Sequence, residues 1–399
     1  MKNISSPKII IFTLFLVQFL DVLDFMVVMP LGPDFSASLN IPESDLGWFA
    51  ASYALAAAFT GIMSSTFIDR FERKQVFIIT ITGLILSNIF SANAWNYESL
   101  LASRFLAGAF GGPATSLCFA IVADLFDKKS RGAVMGKVMG GFSLAAVFGV
   151  PIGLKMSELF GWQASFYAVS AIGILTLILI LIYLPRLDAH IEESKNNITT
   201  YLSLFNKPVN IMTFIVTFIG STAAFMIIPY ITAFVQLNLN FPRGEIDYIF
   251  FIGGALSFFA MRIAGKYVDK TSSSSMTMFS NIFIIFSLVF GFIITIKYLP
   301  ILFVFPMFMV GMAIRNVSSY TLFSKIPKAK ERAGFMSVIS CVQHLASSAG
   351  SILASIILVN QTGSKLLNME IVTIISIILF LIAPFILKYI EKDADIDID

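Results

Sequence analysis

Charge is what this chain has least of. Asp, Glu, Lys and Arg together make up 13% of its 399 residues, against about 25% in an ordinary soluble protein. A water-facing surface cannot be assembled from so few ions, which excludes a secreted protein, a cytosolic enzyme and a nucleic-acid binder. Cysteine is also scarce: Cys118 and Cys341 lie in apolar stretches in opposite halves of the chain. They read as small packed hydrophobes rather than as a disulfide framework. No His/Cys/Asp cluster has metal-ligand spacing, and the absence of a Walker-type phosphate loop argues against ATP as an energy source. The net charge of +3 says little about partners, because in so apolar a chain the placement of charge matters more than its sum.

Apolar residues fill the space, at 57% of the chain. A bilayer span takes about 20 of them, so twelve spans use roughly 240–260 residues and leave about 140 for tails and short loops. The apolar stretches predict helices at 9–32, 46–68, 76–93, 99–124, 133–156 and 165–184, then at 209–235, 248–268, 276–296, 299–323, 334–358 and 369–388. Open sheet edges cannot sit in lipid, and these segments are too long for barrel strands. The N-terminal run carries Asp21 and Asp24 and lacks a small-residue cleavage site, so it reads as a retained first helix and not a signal peptide. The expected fold is an all-α membrane protein of twelve transmembrane helices. Residues 1–184 and 209–390 form two six-helix halves, 185–208 a polar cytoplasmic linker, and 391–399 an acidic cytoplasmic tail.

Basic residues crowd the loops on one side: Lys2, Lys8, Arg70, Arg73, Lys74, Lys128, Lys129, Arg131 and many after them, whereas the other side offers only Lys155, Arg243, Lys297 and Lys365. The positive-inside rule then puts both termini in the cytoplasm. An internal repeat is visible at an offset of 200: Leu39-Asn40-Ile41-Pro42 is echoed by Leu239-Asn240-Phe241-Pro242, and Phe25-Met26 by Phe225-Met226. Two parallel six-helix repeats with a site between them are a transporter architecture.

The loop after the second predicted helix reads Ser65-Thr-Phe-Ile-Asp69-Arg70-Phe-Glu72-Arg73-Lys74. It resembles the signature loop of the major facilitator superfamily, roughly G-x-L-A-D-R-x-G-R-K, with both glycines replaced. Arg104-Phe-Leu-Ala-Gly108 resembles the family's helix-4 motif, and Asp124 with Arg131-Gly132 the acidic-then-Arg-Gly pattern that follows it. Leu23-Asp24 through Pro33 is similar to the first helix of drug:proton antiporters. Gly149-Val-Pro151-Ile-Gly153 looks like helix 5 of the twelve-helix drug- and sugar-efflux (arabinose efflux permease-like) branch, without that branch's Gly-Pro export motif. The resemblance implies the major facilitator fold. It further implies that Asp69, Arg70, Arg73, Lys74, Asp124, Arg131 and Asp269 form a cytoplasmic gate, and that the helix-4 arginine lies near the helix-1 acid.

Charges inside a membrane face a bundle interior or a wet cavity. Gln18, Asp21 and Asp24 recur at a spacing of three along one side of the first helix. They read either as packing polar groups or as a proton site, and Asp24 is favoured over Asp21 as the proton carrier because it matches the family's helix-1 acid. Arg104 is either a coupling residue or a clamp between helices 1 and 4. His344 is the one histidine inside a predicted span; it suits a proton switch, since histidine titrates near about pH 6.5, or equally a neutral hydrogen bond to a neighbouring helix. Arg315 reads as a holder of an anionic substrate or as a partner of cytoplasmic carbonyls. Thr217 and Ser221 mark a cavity wall, and Pro30, Gly108, Gly149, Pro151, Gly153 and Pro229 mark bends or close packing.

The expected activity is proton-coupled efflux of a small molecule (a drug, sugar, nucleobase or siderophore) from a multi-pass inner-membrane protein working as a monomer. Its partners would be substrate, protons and bilayer, with the proton gradient in place of a cofactor and no nucleic acid. Asp24, Asp21, Arg104 and His344 are the proton-coupling candidates; Gln18, Asp24, Arg104, Thr217, Ser221, Arg315 and His344 the cavity candidates. Rival readings are an importer or facilitator of an anionic metabolite and a polytopic membrane enzyme or sensor.

Overall fold

A computed structural model describes residues 6–67, 71–187, 204–268, 270–294, 300–327, 332–360 and 362–393. The first half comprises α1 (Pro7–Val27), α2 (Leu46–Phe67), α3 (Arg73–Ala92), α4 (Tyr97–Leu125), α5 (Lys128–Leu144 continuing into Val150–Phe160) and α6 (Gln163–Tyr183). The second comprises α7 (Pro208–Ile227 continuing into Ile231–Leu237), α8 (Ile246–Val268), α9 (Ser273–Leu288), α10 (Ile301–Lys325), α11 (Arg332–Ile357) and α12 (Met369–Asp393). Eleven of these are long and apolar enough to cross a bilayer; α2, at 22 residues, packs among them as the remaining member. Apart from one isolated bridge between Val359 and Leu367, the described residues contain no β structure. Helices are the form available to a chain that must satisfy its own backbone in lipid.

The helices begin and end for local reasons. α1 opens on Pro7, whose missing N–H is one of the donors a first turn leaves unpaired anyway. α4 starts on a capping box in which the Asn96 side chain accepts from Ser99 N and the Ser99 hydroxyl accepts from Asn96 N. In α5 a proline inside the helix would meet the carbonyl four residues back. Just before Pro151, residues Ala145–Gly149 relax into a π turn, and the helix continues through it. Pro30 and Pro229 do not sit inside regular helix. Pro30 lies in the turn after α1, and Pro229 in the 3-10 turn Ile228–Tyr230 that interrupts α7. The expected first helix, 9–32, accordingly ends at Val27 and is followed by a short separate helix, Gly32–Leu39.

The 200-residue repeat is carried by backbone as well as letters. Asn40 and Asn240 both adopt left-handed conformations, φ 55° and 53°, a region asparagine tolerates better than most residues. Each leads into a 3-10 turn, Glu43–Asp45 and Arg243–Glu245. These turns define one end of the bundle, called here the far end; α1 begins and α12 finishes at the opposite, terminal end. α12 runs to Asp393, so the tail expected from 391 begins with helical residues, and the Glu391 carboxylate accepts from Ser274 N and Oγ. Of the expected linker, residues 188–203 lie outside the described residues.

Packing is inverted relative to a soluble protein. Large apolar side chains such as Phe385 (70% exposed) and Ile282 (63%) point outward, where lipid is the solvent. Arg104 heads the set of largest fully buried side chains. Glycines let the helices approach: at Gly108 a Cβ would collide with the Tyr53 backbone of α2, and at Gly112 it would lie 2.7 Å from the Ala57 carbonyl. Gly149 and Gly153 do the same for α5 against Leu23 and Val27 of α1. Overpacking of this kind costs about 1–3 kcal/mol. Gly108→Leu is therefore expected to lower the melting temperature of the purified protein, whereas Gly136→Leu, where a side chain meets open space, should leave it unchanged.

Candidate functional site

Arg104 projects from the far-end third of α4 into the interior of the first half. Its Nη1 donates to Asp24 Oδ1 at 2.9 Å, and its Nε and Nη2 donate to Ser91 Oγ of α3 at 3.1 and 2.5 Å. The guanidinium also lies 4.9 Å from the centre of the Phe166 ring on α6. Both ends of the Asp24–Arg104 pair are fully buried. One side chain thus ties α1, α3, α4 and α6 together. An ion pair in so dry a setting is held by geometry, and removing either partner strands the other.

Asp21, one turn earlier on α1, has a different environment. Its Oδ2 accepts from Thr115 Oγ1 of α4 at 2.9 Å, and its Oδ1 accepts from the Tyr53 hydroxyl of α2 at 3.4 Å. Thr115 also bonds Gln18 Oε1 at 3.3 Å. The carboxylate is half-buried and, among the described residues, has no cationic partner. Gly111 leaves the space that Asp21 and the Tyr53 hydroxyl share. The structure thus brings Gln18, Asp21, Asp24 and Arg104 into one region but separates them into a closed ion pair and an open carboxylate with neutral donors.

In the second half, Arg315 reaches from α10 to α7. The end of its guanidinium sits where a Cβ of Gly220 would be, and Cζ lies 5.5 Å from the Phe380 ring of α12. Arg315 is 6% exposed, its Nε has no partner, and among the described residues it enters no hydrogen bond or ion pair. It reaches no backbone carbonyl, which removes one of the two roles expected of it. His344 on α11 makes no hydrogen bond to another described helix, so the neutral-bond reading of that residue is not met. It lies one turn beyond Cys341, whose Sγ approaches Ala58 O of α2 at 3.6 Å. Thr217 bonds its own helix at Thr213 O, and Ser221 is half-buried beside Gly220.

At the terminal end, Arg73 Nε meets Asp124 Oδ2 at 2.6 Å, joining α3 to α4 within the first half. Lys74 Nζ donates to the carbonyls of Leu181 and Leu184 at 2.9 and 2.6 Å, fixing the end of α6. Asp69, Arg70 and Asp269 lie outside the described residues, as does the side chain of Arg131.

Sequence reasoning missed the contacts that close the far end. Asp34, in the short helix after α1, receives Arg243 Nε at 2.8 Å and the Ser157 hydroxyl at 2.7 Å. The Glu43 carboxylate, 2% exposed, accepts from Asn360 Nδ2 at 2.6 Å and Gly363 N at 3.1 Å. The Tyr230 hydroxyl of α7 accepts from Gly47 N at 3.1 Å and lies 3.0 Å from Ser44 O and 2.7 Å from Ser355 Oγ. Each group ties one half to the other. One signal was available: Arg243 is among the few basic residues of the charge-poor side, and an isolated ion there calls for a partner. Asn360 and Tyr230 carried no such mark.

The family model described as Major Facilitator Superfamily matches residues 14–351. The chain belongs to the major facilitator superfamily. Solved structures agree on the fold. A bacterial homologue of the human lysosomal transporter Spinster, in an inward-facing state, aligns with TM-score 0.79 at 14% identity, over 97% of this chain and 98% of that one. The nucleoside transporter NupG gives 0.77 at 14% over 96% and 99%, and a D-xylose–proton symporter 0.76 at 17% over 95% and 97%. The protein is a multi-pass membrane transporter of this superfamily and not an enzyme. Its departure from the superfamily's signature loop has a local explanation. Glu72, in place of the second glycine, has an extended φ of −63° and caps α3 by accepting from Lys74 N and Gln75 N. It also accepts from Leu187 N at 2.9 Å. No left-handed residue is needed there.

The far-end bridge is testable. A partly buried ion pair between halves is worth about 1–2 kcal/mol, or about 5–30-fold in an equilibrium. In Arg243→Ala or Asp34→Ala, maleimide labelling of a cysteine introduced at Ala50, 5% exposed behind the seal, should accelerate within that range. The double variant should label no faster than the singles, because both remove one bridge.

Proposed function

We propose that this protein moves a small molecule across the inner membrane in exchange for protons, with Asp21 as the group that takes up and releases the proton. The observation that carries the reading is the contrast between the two α1 carboxylates. Asp24 is sealed against Arg104 with no exposure. Asp21 is half-buried, held only by neutral hydroxyls, and free of any described cation. A carboxylate with that surrounding can change charge without breaking an ion pair, and membrane carboxylates that face a bundle interior are the usual proton carriers. The Asp24–Arg104 pair then serves as the rigid floor against which Asp21, Thr115 and Tyr53 are positioned.

Efflux is the direction favoured, on the similarity of the α1 and α5 motifs to the efflux branch; one structural neighbour, the D-xylose–proton symporter, also links transport to protons. The excess of basic residues in the terminal-end loops supports cytoplasmic termini. The described conformation, with its halves locked at the far end, is then the state closed to the outside. Alternating access in such a protein is a rocking of one half on the other, and the monomer supplies both halves. His344, in the inter-half stripe of α11 that also holds Cys341, is assigned no proton role.

Proteoliposome flux decides the matter. Wild type, Asp21→Asn and Asp24→Asn would be assayed with ethidium, xylose, uridine and benzoate under an imposed pH gradient. Asp21→Asn is expected to fold with wild-type stability and to lose the response to the gradient. Asp24→Asn should instead lose about 3–5 kcal/mol of stability, as removal of one partner of a buried pair does. Gradient-driven flux that persists in Asp21→Asn would remove the proposed role. Uptake along an inward proton gradient would turn efflux into import.

A further inference from the structure

Each half buries an arginine from its fourth helix, at different depths and in unlike company. Arg104 on α4 lies over an α6 ring and faces α1; Arg315 on α10 lies over an α12 ring and faces α7. Arg104 has a counter-charge in Asp24. Arg315 has none. Among the described residues from α7 to α12 the acids are Glu245, Asp247, Glu370, Glu391 and Asp393, all at helix ends or in the turn before α8. Asp24 is bound to Arg104, and Asp21 is occupied by Thr115 and Tyr53.

A guanidinium cannot be deprotonated to escape burial, and an unpaired charge in a low-dielectric interior is strongly disfavoured. The fold nevertheless keeps room for it. Gly220 is the position where any side chain would displace the guanidinium tip, so α7 is notched at this level. Gly220 and Arg315 are themselves buried, whereas the next residues along their helices, Ser221 and Asn316, are half-buried. A planar cation with a vacant Nε and a fork of donors is the shape that matches carboxylate, phosphate or sulfonate.

We propose that Arg315 and the Gly220 notch form an anion-binding site at mid-depth in the second half, and that the transported molecule carries the anionic group. The notch lies between α7 and α10 of the second half, and Asp21 lies on α1 of the first. Anion and proton then sit in different halves, so a rocking motion moves them relative to each other. The inference rests on the transport reading only in calling the anion cargo; the site itself stands on the charge and its surroundings.

The test measures binding. Wild type, Arg315→Gln and Arg315→Lys, purified into phosphatidylcholine nanodiscs, would be titrated with benzoate, benzenesulfonate, inorganic phosphate and the neutral benzamide, following thermal unfolding. Without ligand, Arg315→Gln is expected to melt above wild type, because an unpaired buried charge has gone. At least one anion should stabilise wild type, with affinity reduced at least about tenfold in Arg315→Gln, a difference of about 1.4 kcal/mol. Arg315→Lys should weaken it several-fold, and benzamide should do nothing. Repeating the melts in phosphatidylglycerol nanodiscs separates the sources. Stabilisation by that lipid alone, lost in Arg315→Gln, retains the anion site and assigns it to a headgroup instead of cargo. Equal responses of wild type and Arg315→Gln to every anion and to the lipid overturn the proposal; should Arg315→Gln fail to fold, equality between wild type and Arg315→Lys does so. Asp21-dependent flux without Arg315-dependent binding discards the anion site and keeps the transporter. Arg315-dependent binding without gradient-driven flux does the reverse.

Discussion

A guanidinium placed in the middle of an apolar bundle has to be answered from every side, and the first half is organised around answering Arg104. Asp24 supplies the charge, Ser91 two acceptor contacts, and Phe166 the face of a ring. Those partners come from α1, α3 and α6, so one side chain sets the relative rotation of four helices. Lipid offers little hydrophobic drive for helices to associate, leaving close packing and polar contacts to do it. The glycines at 108, 111 and 112, which bring α4 against α2, act together with the buried pair. Asp21 gains its position from that framework: a carboxylate one turn from a fixed ion pair is itself fixed, yet stays free of the pair.

The second half also buries an arginine from its fourth helix, at another depth and without that charge balance. Gly220 leaves room for the Arg315 guanidinium, and the ring of Phe380 lies close to it. Duplicated halves need not keep duplicated chemistry. Here the first half holds acid with base and a separate carboxylate, and the second holds a base alone. That difference gives a pseudo-symmetric molecule two unlike faces toward whatever passes between them.

Much of the architecture was legible from letters alone, because lipid constrains the chain so heavily that apolar length and scarce charge determine the helices. The 200-residue register could be read for the same reason that it persists in three dimensions: Asn40 and Asn240 occupy left-handed positions few residues tolerate. The Arg104–Asp24 contact came from a family resemblance and not from spacing, since 80 residues separate the two in the chain. What stayed hidden was relational. Asp21 and Asp24 look alike on a helical face, and only Thr115 and Tyr53 tell them apart. The far-end contacts were invisible because Asn360, Tyr230 and Glu43 are ordinary loop and helix-end residues until the halves meet. Pro151 looked like a packing residue; its partner, the π turn at Ala145–Gly149, has no letter code.

The Tyr230 hydroxyl carries a consequence for how the molecule opens. A single oxygen touches Gly47, Ser44 and Ser355, and the Tyr230 side chain that carries it is fully buried. Separating the halves there takes the oxygen from Gly47 and Ser44 together, while Ser355, on α11 of the same half, stays with it. Such a multiply used atom makes the seam brittle rather than elastic: it resists small displacements and then gives way at once. Opening at that end should therefore have the statistics of a latch, with long closed dwells and abrupt transitions, and few half-open intermediates through which ions could leak.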